Sequence, residues 1–296
     1  MVFEEKLEVY RDYINKNLDN YIRDVDCVEN KIYKATRYSL LSKGKRIRPI
    51  LTLAVGEMFG VKKEDIIPFA CAIEMIHAYS LIHDDLPAMD NDDYRRGRLT
   101  NHKVFGEAIA ILAGDALLNR AFEIMSNEII NKIPDNYNEI LAMNCIVNAA
   151  GMRGMIAGQV IDMEKEGKDI SLAMLEYMHE RKTGCLIKAA ILAGAHLGKA
   201  ENKQMESLSK FARNLGIAFQ IRDDILDVVG NNEELGKMVG SDKNNCKSTF
   251  VTLLGVEKSM AILKQRTKEA IKNLEIFGKK ADFLVDMSQY LLKRTF

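Results

Sequence analysis

The 296 residues carry 42 basic and 42 acidic side chains with five histidines, a net charge of zero. Such a balance gives no bulk attraction to nucleic acid or to an anionic membrane, so any electrostatics of consequence must be local. With 47% hydrophobic and 28% charged residues the chain can bury a sizeable core, and it shows no linker or low-complexity run that would divide residues 1–296 into more than a single domain.

Five cysteines, Cys27, Cys71, Cys145, Cys185 and Cys246, are scattered and never spaced as Cys-x-x-Cys. This argues against a disulfide framework or a thiolate zinc site and fits a reducing cytoplasm. The first residues, MVFEEKLEVYRD, lack the apolar core of a signal peptide, and no uncharged apolar run approaches the roughly 18 residues of a membrane span. A soluble protein with no membrane span is expected.

Apolar residues recur mostly at three- and four-residue spacing, only four prolines interrupt them, and no Asn-Gly or Asp-Gly turn is present. The pattern predicts an all-α fold. Phe3, Leu7, Tyr10 and Ile14 mark a first amphipathic helix, and a second is expected over about 25–42, closed by Gly44 as a C-cap. Lys45, Arg46 and Arg48 then fall at the start of a third helix with Pro49 in its first turn. Cations there oppose the helix dipole unless an anion binds among the free N–H groups, although a solvated basic turn would carry the same residues.

Glu64 and Asp65 open the next helix, with Pro68 expected in its first turn, and it runs to Pro87. His77 and Asp84 lie seven residues apart, two turns, and so share one side of it. Five aspartates follow within ten positions, Asp84, Asp85, Asp90, Asp92 and Asp93, with Arg95, Arg96 and Arg98 close behind. These carboxylates repel one another unless cations sit among them, which points to divalent metal and a polyanion. Residues 103–129 and 136–157 predict two further helices. Asp115 is embedded among apolar neighbours in the first of these, and Gln159 and Asp162 share a helix face just beyond the second. For Asp115 and Asp162 a capping or pairing role and support of a metal site both stay open.

The helix over 171–196 carries Lys182, Thr183 and Gly184 at its middle, a combination that invites a local kink. In the helix over 205–229 Gln220, Asp223 and Asp227 form one stripe, with Asp224 beside them, on an otherwise apolar surface. Ionised carboxylates on a buried helix cost several kcal/mol each unless they face a polar cavity or a metal. A Gly/Asn/Ser-rich loop holding Lys237, Lys243 and Lys247 follows, then helices over about 248–276 and 279–294. No G-x-x-x-x-G-K-[ST] loop and no Ser-His-Asp or Cys-His order is present. Hard oxygen ligands on two helices suit magnesium, which keeps waters and borrows phosphate oxygens from a substrate.

GKRIRP, HDDLPAMDNDDYRRG, GQVID, KTG, FQIRDDILD and GKMVGSDKNNCKSTF occur in this order across nearly the whole chain. Together they resemble the motif set of the trans-isoprenyl diphosphate synthases, most closely the bacterial farnesyl type. The resemblance implies a large helical bundle around a deep central cavity, a homodimer, and condensation of isopentenyl diphosphate with dimethylallyl and geranyl diphosphates. It implies Asp84, Asp85, Asp90, Asp223, Asp224 and Asp227 as the metal group, with three magnesium ions. Arg95, Lys182, Lys237 and Lys247 would hold the allylic diphosphate, and Lys45, Arg48, His77 and Arg96 the isopentenyl diphosphate. Thr183 and Gln220 would flank the allylic carbon, Tyr79 and Ser80 would set chain length, and no role follows for Asp92 or Asp93. A geranylgeranyl diphosphate synthase, a helical metal-dependent phosphohydrolase and a catalytically silent partner subunit are the competing readings. Met238 stands where the family more often has proline, a departure that removes no ligand.

Overall fold

A computed structural model of the protein describes residues 2–229 and 248–294. Helix α1 (Phe3–Tyr21) turns Leu7, Tyr10, Ile14 and Leu18 inward, as its spacing requires. Helix α2 (Asn30–Leu40) is shorter than the expected 25–42. The amide of Asn30 bonds the Asp24 carboxylate and the Val25 carbonyl, and such local bonding holds residues 24–29 out of a helix. Helices α3 (Ile47–Met58) and α4 (Lys63–Asp84) follow, with Pro68 in the second turn of α4 rather than the first.

Helix α4 is apolar almost all round because it is the central element, packed by α3 and by α6 (Glu107–Asn131), and more lightly by α1, α2 and α10 (Cys185–Leu197). The long helices expected over 103–129, 136–157 and 248–276 are each divided. Gly106 separates α5 (Asn101–Phe105) from α6, and a turn over 151–154 separates α7 (Tyr137–Ala150) from α8 (Met155–Lys165). At Gly154 an added Cβ would lie 2.0 Å from the Ala149 carbonyl oxygen, so only glycine permits that turn. Helix α9 (Leu172–His179) continues into α10 through a π turn at Glu180–Gly184, where the Thr-Gly pair predicts a kink. Helix α11 (Asn202–Val229) precedes α12 (Phe250–Leu254), and Gly255, at φ 78°, divides α12 from α13 (Val256–Lys272). A 3₁₀ turn at Glu275–Ala281 leads into α14 (Asp282–Lys293).

The all-α expectation holds apart from one small hairpin. Strand β1 (Tyr94–Arg95) pairs antiparallel with β2 (Arg98–Leu99), with Tyr94 opposite Leu99. Its two-residue turn, Arg96-Gly97, has φ of 54° and 74°, so both residues adopt the left-handed geometry that hairpin turns favour. An arginine in place of the usual asparagine hides that turn from a sequence reading.

Gly44 is not the cap of α2; it makes room. An added Cβ would stand 2.7 Å from Arg96 Nη1, so the hairpin arginine lies directly over this glycine. Next to it Arg46, at φ 52°, buries its guanidinium and donates to Glu74 at 2.7 Å, Asn15 Oδ1 at 2.9 Å and the Leu40 and Ser42 carbonyls. Removing one partner of a fully buried ion pair strands the other. Arg46→Ala is therefore expected to cost about 3–5 kcal/mol in urea denaturation. Arg46→Met combined with Glu74→Leu should recover most of it; an equal loss in both variants would contradict the pairing.

Candidate active site

A cavity of about 520 Å³ opens beside the C-terminal half of α4. His77, Ser80 and Asp84 come from one face of α4, with Tyr79 also in the lining, so the seven-residue spacing does bring His77 and Asp84 to one space. Helices α6 and α8 line the other side, with Leu118 and Met155 among the wall residues, and Lys182 and Thr183 of the π turn complete the lining. The wall is mainly apolar with a few convergent polar groups, the usual character of a small-molecule site. Asp115 corrects the sequence reading: Ala113, Gly114 and Leu117 take the buried positions of α6, and Asp115 is exposed on the cavity wall.

The first acidic group is only partly neutralised by the protein's own cations. Burial pushes the Asp84 carboxyl up to about 6; Lys182 and Arg95 pull it down while Asp90 and Asp85 push it further up. Asp85 faces the hairpin, where Arg95 Nε and Nη2 both lie 2.6 Å from its Oδ1. Even so, the Asp85 carboxyl is raised, by burial first, with Arg95 opposing and Asp92 and Asp90 adding. Asp92 lies 3.5 Å from Arg95 and Asp93 pairs with Lys103 at 2.7 Å. The Asp92 and Asp93 carbonyls also accept from Thr100 Oγ1 and Thr100 N. These two aspartates thus brace the hairpin that carries Arg95 and Arg96.

Cations gather on the other side. His77 is driven well below its ordinary value by burial and then by Arg48, Arg96, Arg95 and Arg46. Burial also depresses Arg48 and Arg96, and it brings the Lys45 ammonium down to about 8, with Arg294 and Arg96 adding and Asp223 opposing. Arg48 Nε is buried with no hydrogen-bond acceptor. Lys45, Arg48 and Arg96 therefore form one positive group around the N-terminus of α3, with His77 kept neutral beside them, and the setting favours an anion.

The π turn aims Lys182 and Thr183 into the cavity because α8 comes very close at Gly158. An added Cβ there would lie 2.1 Å from Lys182 N. Lys182 Nζ pairs with Asp162 at 2.7 Å, one of the two roles its sequence context leaves open. Thr183 Oγ1 donates to Gln220 Oε1 at 3.1 Å, and Gln220 Nε2 donates to Asp224 Oδ1 at 3.0 Å. Asp224 and Asp227 are buried, whereas the Asp223 side chain is 42% exposed and pairs with Arg294. Asp223 also acts on Lys45 and Arg48, so the second acidic group meets the α3 basic segment. Lys237 and Lys247 lie outside the described residues.

Several contributors escape sequence reasoning. Arg294, from the basic end KRTF, sits over the Phe219 ring at 4.1 Å and binds the Phe219 carbonyl besides Asp223. His179 stacks on Phe250 at 5.8 Å and is held down to about 4 by burial, with Asp162 opposing and Lys182 adding. Nothing in local spacing marks either residue.

Among the described residues no three His, Cys, Asp or Glu side chains converge as a ready-made metal cage. The donors present nevertheless fit magnesium: hard carboxylate oxygens, those of Asp84 and Asp85 raised by burial, beside cations suited to phosphate oxygens.

The family model described as polyprenyl synthetase matches residues 29–283. The chain is 44% identical to a farnesyl diphosphate synthase of Micrococcus luteus over 99% of both chains. It is 43% identical to a geranylgeranyl diphosphate synthase of Cyanophora paradoxa, over 98% of this chain and 94% of the other. The crystal structure of an FPP/GFPP synthase from Zymomonas mobilis superposes with a TM-score of 0.87 at 34% identity, covering 98% of each chain.

The Asp84 carboxyl has a testable consequence in metal-free protein. Its folded value, about 6, exceeds the unfolded 3.8, so its ionisation costs stability as pH rises through that window. Asp84→Asn should raise the unfolding free energy measured by urea denaturation in chelator at pH 8 by on the order of 2 kcal/mol, after discounting for partial exposure. The gain should vanish near pH 4, and a loss at pH 8 would contradict the burial penalty.

Proposed function

The chain belongs to the polyprenyl synthetase family, and on that premise we propose that it condenses isopentenyl diphosphate with dimethylallyl and then geranyl diphosphate, yielding (2E,6E)-farnesyl diphosphate and diphosphate. It is a prenyltransferase. The observation that carries the product assignment is the cavity beneath Asp84, polar at Asp84, Lys182 and Thr183 and apolar beyond, with Tyr79 in its wall.

In this reading Lys45, Arg48, His77 and Arg96 hold the diphosphate of isopentenyl diphosphate, whose charge relieves the mutual repulsion of Lys45, Arg48 and Arg96. Arg95, Lys182, Lys237 and Lys247 hold the allylic diphosphate. Asp84, Asp85, Asp90, Asp223 and Asp227 form the acidic group that holds magnesium, three ions when substrate is bound, while Asp224, expected among them, has both oxygens on protein donors. Bound magnesium supplies charge neutralisation that lets diphosphate depart. The chain's own residues orient the two substrates, exclude water from the apolar cavity and present the Thr183 and Gln220 dipoles to the allylic carbon. The allylic C–O bond breaks, the isopentenyl double bond attacks the resulting cation, and a proton is lost to the departed diphosphate.

Tyr79 is buried, meets His83 edge-on at 5.8 Å and, with Ser80, supports a floor that limits the growing chain. His83 is itself fixed, with Nε2 3.0 Å from the Ile111 carbonyl, above Gly114, where an added Cβ would lie 2.0 Å away. A geranylgeranyl synthase would use the same chemistry with the cavity continued past Tyr79, and relatives of that type are nearly as similar.

Homodimerisation is part of the proposal. Ile111 and Leu112 on α6, Ile140 on α7, and Met152 and Ile156 around the α7–α8 turn are exposed. Among the described residues two segments are apolar and long enough to cross a membrane; Lys63–Asp84 lies in the core, while Tyr137–Lys165 is only 28% buried and is broken by the turn over 151–154. We read that surface as subunit contact, not as a span. The unpaired Cys27, Cys71, Cys145 and Cys185 support a cytoplasmic location.

Purified protein with magnesium, labelled isopentenyl diphosphate and dimethylallyl diphosphate should give a C15 product, and Tyr79→Ala should shift it to C20 or longer. Release of diphosphate without isopentenyl diphosphate would indicate a hydrolase, and an unchanged product distribution would remove Tyr79 from the floor.

A further inference from the structure

Asp224 belongs to the second acidic group, yet both of its oxygens are engaged by protein donors. Gln220 Nε2 donates to Oδ1 at 3.0 Å and the backbone N–H of Phe250 donates to Oδ2 at 2.8 Å. Asp224 is 2% exposed, so these bonds form away from bulk water. The Phe250 amide heads α12 and can only donate, and an ionised carboxylate can only accept. Asp224 therefore dictates which end of the Gln220 amide faces it. The NH₂ turns toward Asp224, the oxygen turns toward Thr183, and Thr183 gives its single hydroxyl proton to that oxygen at 3.1 Å.

We propose that Asp224 is a positioning residue that works through Gln220 to fix the direction of the Thr183 hydroxyl, so that its oxygen lone pairs, and not its proton, face the cavity. The proposal rests on the prenyltransferase reading and deepens it. Thr183 lines the cavity beside Asp84 and Lys182. An oxygen oriented in advance stabilises positive charge developing on an allylic carbon, and a proton pointing the same way would oppose it. The anchor is itself braced, since Phe250 is fully buried and stacks on His179. Three segments distant in sequence, the π turn, α11 and the head of α12, thereby set one hydroxyl rotor.

Asp224→Asn keeps the shape but introduces a donor. Either the Phe250 N–H loses its acceptor or the Gln220 amide turns over, which presents NH₂ to Thr183 and rotates the hydroxyl proton into the cavity. The expected result is a kcat lower by roughly a hundredfold, the scale of losing one oriented dipole at a reacting centre. KM for isopentenyl diphosphate and the half-saturating magnesium concentration should stay within about threefold of the parent, whereas Asp223→Asn should raise the magnesium requirement by more than about tenfold. Combining Asp224→Asn with Gln220→Glu restores the pattern, because the new carboxylate accepts from both Thr183 and the new amide. That double variant should recover at least about tenfold over Asp224→Asn alone.

A second readout needs no turnover. In metal-free protein the melting temperatures of parent, both single variants and the double variant should form a cycle with favourable coupling between positions 220 and 224. A magnesium requirement raised by Asp224→Asn as much as by Asp223→Asn, a double variant no faster than the single, or additive melting shifts would each overturn the proposal. If the parent makes no prenyl product, the prenyltransferase reading fails and the melting cycle alone decides the relay.

Discussion

Charges crowded at one cavity in a low-dielectric setting are the constraint on which the rest of this molecule depends. Asp84 and Asp85 are raised by burial; Lys45, Arg48, Arg96 and His77 are depressed by it. The two sets lie near each other but do not cancel, because each is pinned to its own element. A fold optimised only for stability would not keep them. A diphosphate held by the cations, together with magnesium held by the carboxylates, would relieve both sets at once.

The scaffold exists to hold these groups apart. The buried Arg46–Glu74 pair secures the chain ahead of α3, so Lys45 and Arg48 stand at its N-terminus with Arg46 consumed structurally. The hairpin turns Arg95 back on Asp85 and lays Arg96 over Gly44. Close contact at Gly158 and the π turn bring Lys182 and Thr183 to the cavity, and Asp162 steadies Lys182. Each of these is a close approach or an irregular backbone, features that packed helices supply only where a neighbour enforces them.

Much of this was legible in the residues. The helical periodicity, the apolar character of α4, the His77–Asp84 alignment and the kink at Thr183-Gly184 all follow from spacing and residue type. Helix lengths were less legible, because a single glycine such as Gly106 or Gly255 divides a run only if its neighbours demand positive φ. The Arg96-Gly97 turn was hidden by its arginine, and Asp115 misled because apolar neighbours in sequence are not neighbours in space. Pairings between distant segments, Arg294 with Asp223 or Phe250 with Asp224, have no local signature at all. The roles of Asp92 and Asp93 likewise emerged only with the hairpin in view.

Metal and diphosphate should depend on each other for binding, since neither charge set is satisfied by the other's ligand alone. Calorimetric titration of magnesium into the protein, with and without saturating inorganic diphosphate, tests this most directly. The prediction is weak magnesium binding alone and affinity higher by at least about a hundredfold with diphosphate present, a coupling near the upper end of the usual range. Equal magnesium affinity in the two titrations would contradict it.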